Sequence, residues 1–209
     1  MKNKLKNFIF KLFQKIRIFI NYGILNDIYI GKNVKLLSKK NIKLENEVVI
    51  FDNCILNTYP NPYGNPFRIK YSLGKIIIRN KSIIKNNVQF YTYNSTISFG
   101  SNVTVNTNCV FYGGGNITIG NDVMIATGTI FVASNHNYSN PLININEQGL
   151  THKGIILEDN IWIGANCIIL DGTIIKRGVI VAANSVVKGI LEENSIYGGS
   201  PVRRIKEKN

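Results

Sequence analysis

Histidine is the side chain whose ordinary pKa lies nearest neutrality, and this sequence of 209 residues contains two of them. His136 stands in the stretch ASNHNYSN, residues 133–140, and His152 follows in GLTHKGI. A neutral imidazole can accept a proton from a substrate and return it, as a general base does. A histidine in an Asn-rich loop can equally be a solvated side chain. The choice between these two interpretations depends on the structural elements that position each histidine.

The composition is that of a folded, basic protein. Hydrophobic residues make up 44% of the chain and charged residues 18%, which argues against disorder, and the length suits one well-packed domain with a short appendage. The net charge of +13 favours anionic partners such as a phosphorylated cofactor or a membrane surface. The basic residues are spread out, and no interleaved basic and aromatic stretch lies on a known binding module, so we expect no nucleic-acid partner.

A six-residue period runs through most of the sequence. The apolar residues that open each unit are Ile30, Leu36, Leu44, Ile50, Leu56, Ile78, Ile84, Phe90, Phe99, Val105, Phe111, Ile119, Ile125, Phe131, Leu157, Ile163, Ile169, Ile175, Val181 and Val187. The fourth position is usually Asn or Gly, which tolerate positive φ, and the fifth is small or β-branched. Strands that alternate with tight corners at a fixed period predict an all-β solenoid, a parallel β-helix with three faces in each coil.

The interruptions of this period all fall after the third unit of a coil. Three extra residues follow the unit opened by Phe90, two follow that of Phe111, and twenty follow that of Phe131. Another sixteen follow the unit opened by Leu56. We therefore expect every insertion, including the long loops 57–75 and 137–156, to leave the prism along one edge, where His136 begins the longest of them.

The repeats resemble those of the hexapeptide-repeat acyltransferases over about residues 28–206. The most specific part is NIWIGANCIILDGTIIKRGVIVAANSVV followed by GGSPVRRI, which is similar to the closing coils of the sugar O-acetyltransferase branch. The resemblance implies a left-handed β-helix, a homotrimer, and acetyl-CoA bound in the groove between two copies. It implies direct transfer of acetyl to a carbohydrate hydroxyl, with N-acetylation of an amino sugar or nucleotide sugar as the alternative. A non-catalytic solenoid that only binds or supports other molecules is the alternative of another class.

The same resemblance assigns roles to individual positions. His136 matches the catalytic base, Asn106 a contact to the acceptor sugar, and Ala165 and Ala183 the small residues beside the pantetheine. The remaining positions expected to bind coenzyme A are Lys188, Gly189, Arg203 and Lys206, of which the last two would meet its phosphates.

Four further observations come from the residues themselves. Trp162 takes an outward position, which favours a ligand or subunit contact, and His152 is a second base, a substrate contact or a solvated side chain. Two histidines are too few for a three-histidine zinc site, so we expect no metal.

The three cysteines occupy the inward fifth position two coils apart, roughly 9–10 Å, which is too far for a disulfide. We expect them to be buried, unreactive thiols.

The sequence thus divides into a basic N-terminal segment, residues 1–26, a β-helix catalytic domain, residues 27–192, and a closing segment, residues 193–209. Apolar residues recur at helical spacing over residues 1–20, with Lys and Arg mainly opposite, which predicts a short amphipathic helix. Such a helix could cap the first coil or lie on an anionic membrane surface. No segment has the apolar length of a membrane span or a signal peptide, so we expect a cytoplasmic protein, which would contact the inner membrane through residues 1–20 if the helix lies on that surface.

Deletion of residues 1–20 separates the two functions of this segment. If the helix binds membrane, the deletion should release the protein from anionic vesicles and leave its melting temperature unchanged, since the Lys and Arg residues supply the attraction. If it caps the first coil, the deletion should lower the melting temperature and promote aggregation. Vesicle co-sedimentation at low and high salt, with thermal melts of both proteins, distinguishes the outcomes. Full-length protein that ignores anionic vesicles at low salt would refute the membrane contact.

Overall fold

The computed structural model describes residues 12–13, 27–59 and 73–208. Over the two longer ranges the chain winds as the predicted left-handed parallel β-helix, with a three-sided cross-section. The amphipathic helix predicted for residues 1–20 lies outside the described residues apart from Leu12 and Phe13, which are helical. No helix within the described ranges has the length and apolar character needed to cross a membrane.

Each face of the prism is one sheet, parallel throughout except for the final strand of the second face. The first face contains Ile42–Leu44, Lys75–Ile78, Thr96–Phe99, Ile117–Ile119, Ile155–Leu157, Ile174–Ile175 and Ile190–Leu191. The second contains Tyr29–Ile30, Val49–Ile50, Ile83–Ile84, Thr104–Val105, Met124–Ile125, Trp162–Ile163, Ile180–Val181, Ser195–Gly198 and Arg203–Glu207. The third contains Lys35–Leu37, Ile55–Asn57, Gln89–Tyr91, Val110–Tyr112, Ile130–Val132, Ile168–Leu170 and Val186–Val187.

The register of these sheets confirms the six-residue period. On the third face, Leu56 pairs with Phe90, Phe90 with Phe111, and Phe111 with Phe131. The residues that open each unit therefore stack on the equivalent residues of the next coil and point inward. The four insertions leave between the third and first faces, at what we call the insertion edge.

The Asn residues in the fourth position form the corners, as predicted. Asn53, Asn87, Asn108 and Asn166 all have φ between 55° and 62°, the left-handed conformation that Asn tolerates best among non-Gly residues. Corners of successive coils are linked by side-chain hydrogen bonds, for example from Asn87 Nδ2 to Asn108 Oδ1 at 3.1 Å. The corners thus form a ladder of side-chain hydrogen bonds that runs from coil to coil beside the sheets.

The core is an apolar column whose centre is aromatic. Phe111 stacks on Phe90 at 4.8 Å between ring centroids and on Phe131 at 4.5 Å, with interplanar angles of 14° and 10°. Phe99 meets Phe111 edge-on at 5.4 Å. All four rings are buried. This stack lies directly inside the wall from which the insertions leave, and it therefore provides the rigid base beneath them.

The three cysteines are buried and free, as expected. Each thiol donates to a backbone carbonyl of its own or the next coil, for example Cys109 Sγ to Ala126 O at 3.2 Å. Burial raises the pKa of Cys54 and of Cys109 to about 11. They are core residues and have no access to a substrate.

The C-terminal segment closes the last coil. Ser195–Gly198 pairs in parallel with Ile180–Val181, so parallel pairing continues past the predicted boundary at residue 192. Arg203–Glu207 then folds back antiparallel on Ser195–Gly198. The side chain of Arg204 donates to Ser195 Oγ and to Glu207 Oε1. Within the described ranges, two short 3-10 helices, Lys39–Asn41 and Ile145–Glu147, lie in connections.

The aromatic stack makes Phe111 the most sensitive core position. Phe111→Ala should lower the free energy of unfolding by about 3–5 kcal/mol, since it removes a buried ring and leaves a cavity between Phe90 and Phe131. Phe111→Leu should cost less, because most of the volume is kept. Urea denaturation at one fixed protein concentration measures both variants. Equal losses for Leu and Ala would show that ring stacking, rather than volume, dominates at this position.

Candidate functional site

A cleft of about 560 Å³ opens on the insertion edge, where three successive corners depart from the regular repeat. It is lined by Tyr93, Asn94, Gly114, Val132, Ser134, Asn135, His136, Leu150 and His152. The first two residues belong to the corner with three extra residues and Gly114 to the corner with two. Val132 ends a third-face strand, and the other residues lie just before the longest insertion or near its end. Three of the four interruptions noted in the sequence therefore meet in one cavity.

The first of these corners is strained and tightly braced. Tyr93 and Asn94 have φ of 45° and 74°, a conformation that costs energy for residues other than glycine. The carbonyl of Thr92 holds the corner by accepting from Ser95 N at 2.9 Å, Ser95 Oγ at 2.6 Å and Gly114 N at 3.1 Å. The bracing fixes the direction in which Tyr93 leaves the corner.

The second corner provides room for a histidine. Gly114 has φ of +98°, and a Cβ there would lie 2.9 Å from His152 Nδ1. Only glycine fits both the backbone conformation and the close approach of the imidazole. This contact places His152 against the floor of the cleft, although its side chain stays exposed.

The longest insertion begins and ends as a small hairpin. Asn135–His136 pairs antiparallel with Leu150–Thr151, so that His136 lies opposite Leu150. The Gln148 amide ties the loop together by donating to Asn140 O at 2.9 Å and Ile143 O at 2.8 Å. Asn137 Nδ2 donates to Gln148 O at 3.0 Å. His136 thus leaves from an ordered strand, and both histidines face one cleft.

A buried carboxylate anchors the point where this insertion rejoins the coils. Asp171 is 6% exposed and accepts from Lys153 N at 3.1 Å and Gly154 N at 2.8 Å. Since His152 precedes these two residues, Asp171 fixes the backbone that carries it. A second, smaller pocket of about 80 Å³ adjoins this anchor and is lined by Ser134, Asn135, Thr151, Lys153, Leu170, Asp171 and Lys188.

The predicted site residues lie in three places. His136, His152, Lys188 and Gly189 lie on the insertion edge, with Lys188 in the smaller pocket. Asn106, Ala165 and Ala183 follow strands of the second face and share the edge between the second and third faces. Trp162 is exposed on the second face, and Arg203 and Lys206 are exposed on the final strand.

Within one chain, therefore, the structure brings together the two histidines and Lys188 but not the predicted acceptor contact Asn106. No group of three or more His, Cys, Asp or Glu side chains suited to a metal ion occurs in the described ranges.

Sequence reasoning missed Tyr93, Asn94, Gly114 and Asp171. The signal for the first three was available, since they occupy the short insertions that interrupt the period. Asp171 gave no such signal, because it stands in an unbroken repeat and its role depends on which backbone amides the returning loop presents.

Comparison with known proteins finds hexapeptide-repeat transferases. The family model for bacterial transferase hexapeptide (six repeats) matches residues 154–189. An Escherichia coli protein, WbbJ, provisionally named a lipopolysaccharide biosynthesis O-acetyl transferase, is 35% identical over 120 residues, which are 54% of this chain and 61% of that protein. The chain spans about three fifths of the curated relatives it matches, from 56% to 61% in three of them.

Two solved structures share the fold, and one of them matches most of the chain. A hexapeptide-repeat acetyltransferase of Vibrio cholerae, complexed with acetyl-CoA, has a TM-score of 0.58 and 30% identity, and the match covers 64% of this chain and 71% of that one. AntD, an N-acyltransferase of Bacillus cereus complexed with dTDP and 3-hydroxybutyryl-CoA, has a TM-score of 0.57 and 26% identity, covering 92% of this chain and 88% of that one.

The anchoring role of Asp171 is testable without any substrate. In Asp171→Ala the amides of Lys153 and Gly154 lose their acceptors, so their hydrogen exchange should accelerate at least tenfold while the core stays protected. Asp52→Ala is the matched control, because Asp52 also caps a backbone amide, that of Lys32, but at the edge between the second and third faces. Exchange measured by mass spectrometry should show no change at residues 152–154 in the control. Unchanged exchange there in Asp171→Ala would contradict the anchor.

Proposed function

The chain belongs to the family of hexapeptide-repeat acetyltransferases, and on that premise we propose that it transfers an acetyl group from acetyl-CoA to a hydroxyl of a carbohydrate. The observation that carries this proposal is the position of His136, an exposed imidazole on an ordered hairpin at the mouth of a cleft built from insertions. The similarity to a provisionally named O-acetyltransferase of lipopolysaccharide biosynthesis supports a carbohydrate acceptor.

In the proposed reaction His136 acts as general base. Its imidazole accepts the proton of the acceptor hydroxyl as that oxygen attacks the carbonyl carbon of the thioester. A carbon–oxygen bond forms and the carbon–sulfur bond breaks. His136 then returns the proton to the departing thiolate, so that the products are the acetyl ester and free coenzyme A. Acetyl-CoA supplies only the acyl group and the thiol leaving group.

Direct transfer, without an acyl-enzyme on cysteine, is supported by the state of the thiols. Cys54, Cys109 and Cys167 lie inside the prism, and burial raises the pKa of each. A neutral, buried thiol is a poor nucleophile. The acceptor and acetyl-CoA must therefore be bound together, and their proximity replaces a covalent intermediate.

The placement of the other predicted residues supports a homotrimer. Asn106, Ala165 and Ala183 lie on a different edge of the prism from His136, so no single chain forms the complete site. If the edge between the second and third faces of one copy lies against the insertion edge of another, acetyl-CoA has small side chains on one wall and His136 on the other. Lys188, Arg203 and Lys206 would then offer positive charge to its phosphates. Exposed Trp162 and Met124, paired on the second face, offer apolar contact area for such packing.

The second candidate is N-acylation of an amino sugar carried on a nucleotide. It is favoured by the similarity to AntD, which was solved with dTDP and matches 92% of this chain. Lys153 and Lys188 in the smaller pocket could meet a diphosphate. The two candidates share the role of His136 and differ in the acceptor, so mass spectrometry of products from hydroxyl and amino acceptors distinguishes them.

Replacement of His136 tests the mechanism. His136→Ala should lower kcat by about 10²–10⁴-fold, the usual contribution of a general base, with little change in the KM for acetyl-CoA. The measurement is release of coenzyme A thiol in the presence of a carbohydrate panel, with acetylated product identified by mass spectrometry.

His152→Ala, assayed in parallel, identifies which imidazole is the base. We expect a smaller effect there, mainly on the KM for the acceptor, because His152 lies against Gly114 at the floor of the cleft. If His136→Ala kept more than about a tenth of the normal kcat, while His152→Ala lost activity, the assignment of the base would be wrong.

A further inference from the structure

Three tyrosines stack on the outside of the prism beside the cleft. Tyr91 and Tyr112 lie 5.6 Å apart between ring centroids at an interplanar angle of 14°. Tyr93 lies 5.9 Å from Tyr91 and 6.2 Å from Tyr112, at 14° and 4°. The three rings are therefore close to parallel. They lie outside the core, on the wall whose inner side is the phenylalanine stack.

This tyrosine cluster ends at the cleft. Tyr91 pairs with Tyr112 in the next coil, and Tyr112 pairs with Val132 in the coil after that. Val132 lines the cleft, as does Tyr93. Tyr112 is 37% exposed, and in the next coil the ladder of rings gives way to the shorter Val132. Among the described residues no aromatic side chain continues this ladder beyond Tyr112, so the exposed part of its ring is available to stack on a ligand ring.

The backbone that carries Tyr93 into this cluster is strained. Tyr93 reaches the cluster only because three extra residues form its corner, and it holds a φ of 45° there. Neither the extra residues nor the strain improves the core, since the regular corner of the repeat needs neither. Strain of this kind that the surroundings hold in place is characteristic of binding and catalytic sites.

The chemistry of the cleft indicates what kind of ring would bind. None of the nine described residues that line it is Lys, Arg, Asp or Glu. Asn94, Ser134 and Asn135 offer neutral donors and acceptors instead. A flat aromatic face next to neutral hydrogen-bonding groups suits a pyranose ring, which has an apolar C–H face and a rim of hydroxyls.

We propose that Tyr91, Tyr93 and Tyr112 form a platform on which a neutral pyranose ring of the acceptor stacks, with Tyr112 and Tyr93 in direct contact with it. The inference rests on the proposed transferase function and names the substrate class for the same site. It places a sugar ring next to His136, so that a hydroxyl of that ring or of its neighbour reaches the base.

Binding by saturation-transfer NMR tests the platform with a stated set of probes: the methyl pyranosides of glucose, galactose, mannose and N-acetylglucosamine. At least one should bind the full-length protein. Tyr112→Leu and Tyr93→Leu should each weaken that binding about three- to tenfold, as the loss of one aromatic stacking contact predicts. Tyr112→Phe should restore most of it, because the ring and not the hydroxyl makes the contact.

Tyr29→Leu is the matched control. Tyr29 also packs against an aromatic ring, Phe51 at 5.9 Å, but on the second face in an early coil. This variant should bind the pyranosides as the unaltered protein does. Equal weakening in Tyr29→Leu would assign the effect to loss of structure and overturn the platform, as would failure of all four probes to bind the unaltered protein.

Two further measurements separate this proposal from the proposed function. Calorimetry with acetyl-CoA on the unaltered protein tests the transferase function alone, so absence of that binding would reject the function even if pyranosides bound the platform. A parallel titration with dTDP tests the nucleotide alternative. Stronger dependence on Tyr93 and Tyr112 for dTDP than for any pyranoside would assign the stack to a nucleobase and overturn the neutral-sugar proposal.

Discussion

The stacking of equivalent residues at the spacing of adjacent parallel strands is the constraint on which the rest of this molecule depends. Each coil buries its apolar residues only because the next coil presents the same residue at the same place, as Phe90, Phe111 and Phe131 do. No single six-residue unit could bury these side chains alone, so any shift in register would expose the whole column. An extra residue within a strand is therefore costly, whereas one at a corner disturbs only the corner.

The placement of the candidate site follows from that restriction. Because insertions are tolerated at corners, and because all four fall between the third and first faces, three of them meet in one cleft although about sixty residues of sequence separate Tyr93 from His152. The cleft is built from a strained corner that carries Tyr93, a glycine corner that admits His152, and a hairpin that carries His136. Rigid coils beneath them hold these pieces in fixed relation, which is what acid–base chemistry requires.

The division of predicted residues between two edges would give the proposed trimer a function in catalysis. A prism with identical copies beside it can place one edge of one copy against a different edge of another, so a site can be shared without any loop crossing between the copies. In the proposed trimer, His136 and the tyrosine cluster come from one copy, and Asn106, Ala165 and Ala183 come from its neighbour. The corners with small side chains on one copy and the corners enlarged by insertions on its neighbour then form the two halves of one site.

The sequence by itself determined the repeat, the three faces, the inward position of the cysteines, the Asn corners and the edge on which His136 lies. Each of these features depends on a local period of six residues, and such a period can be read directly from the amino-acid sequence. Only the tertiary structure decided that Tyr91, Tyr93 and Tyr112 stack, that Gly114 admits His152, and that Asp171 anchors the returning loop through the amides of Lys153 and Gly154. These contacts join different coils through irregular corners, where the direction of each side chain depends on backbone angles that no repeat specifies.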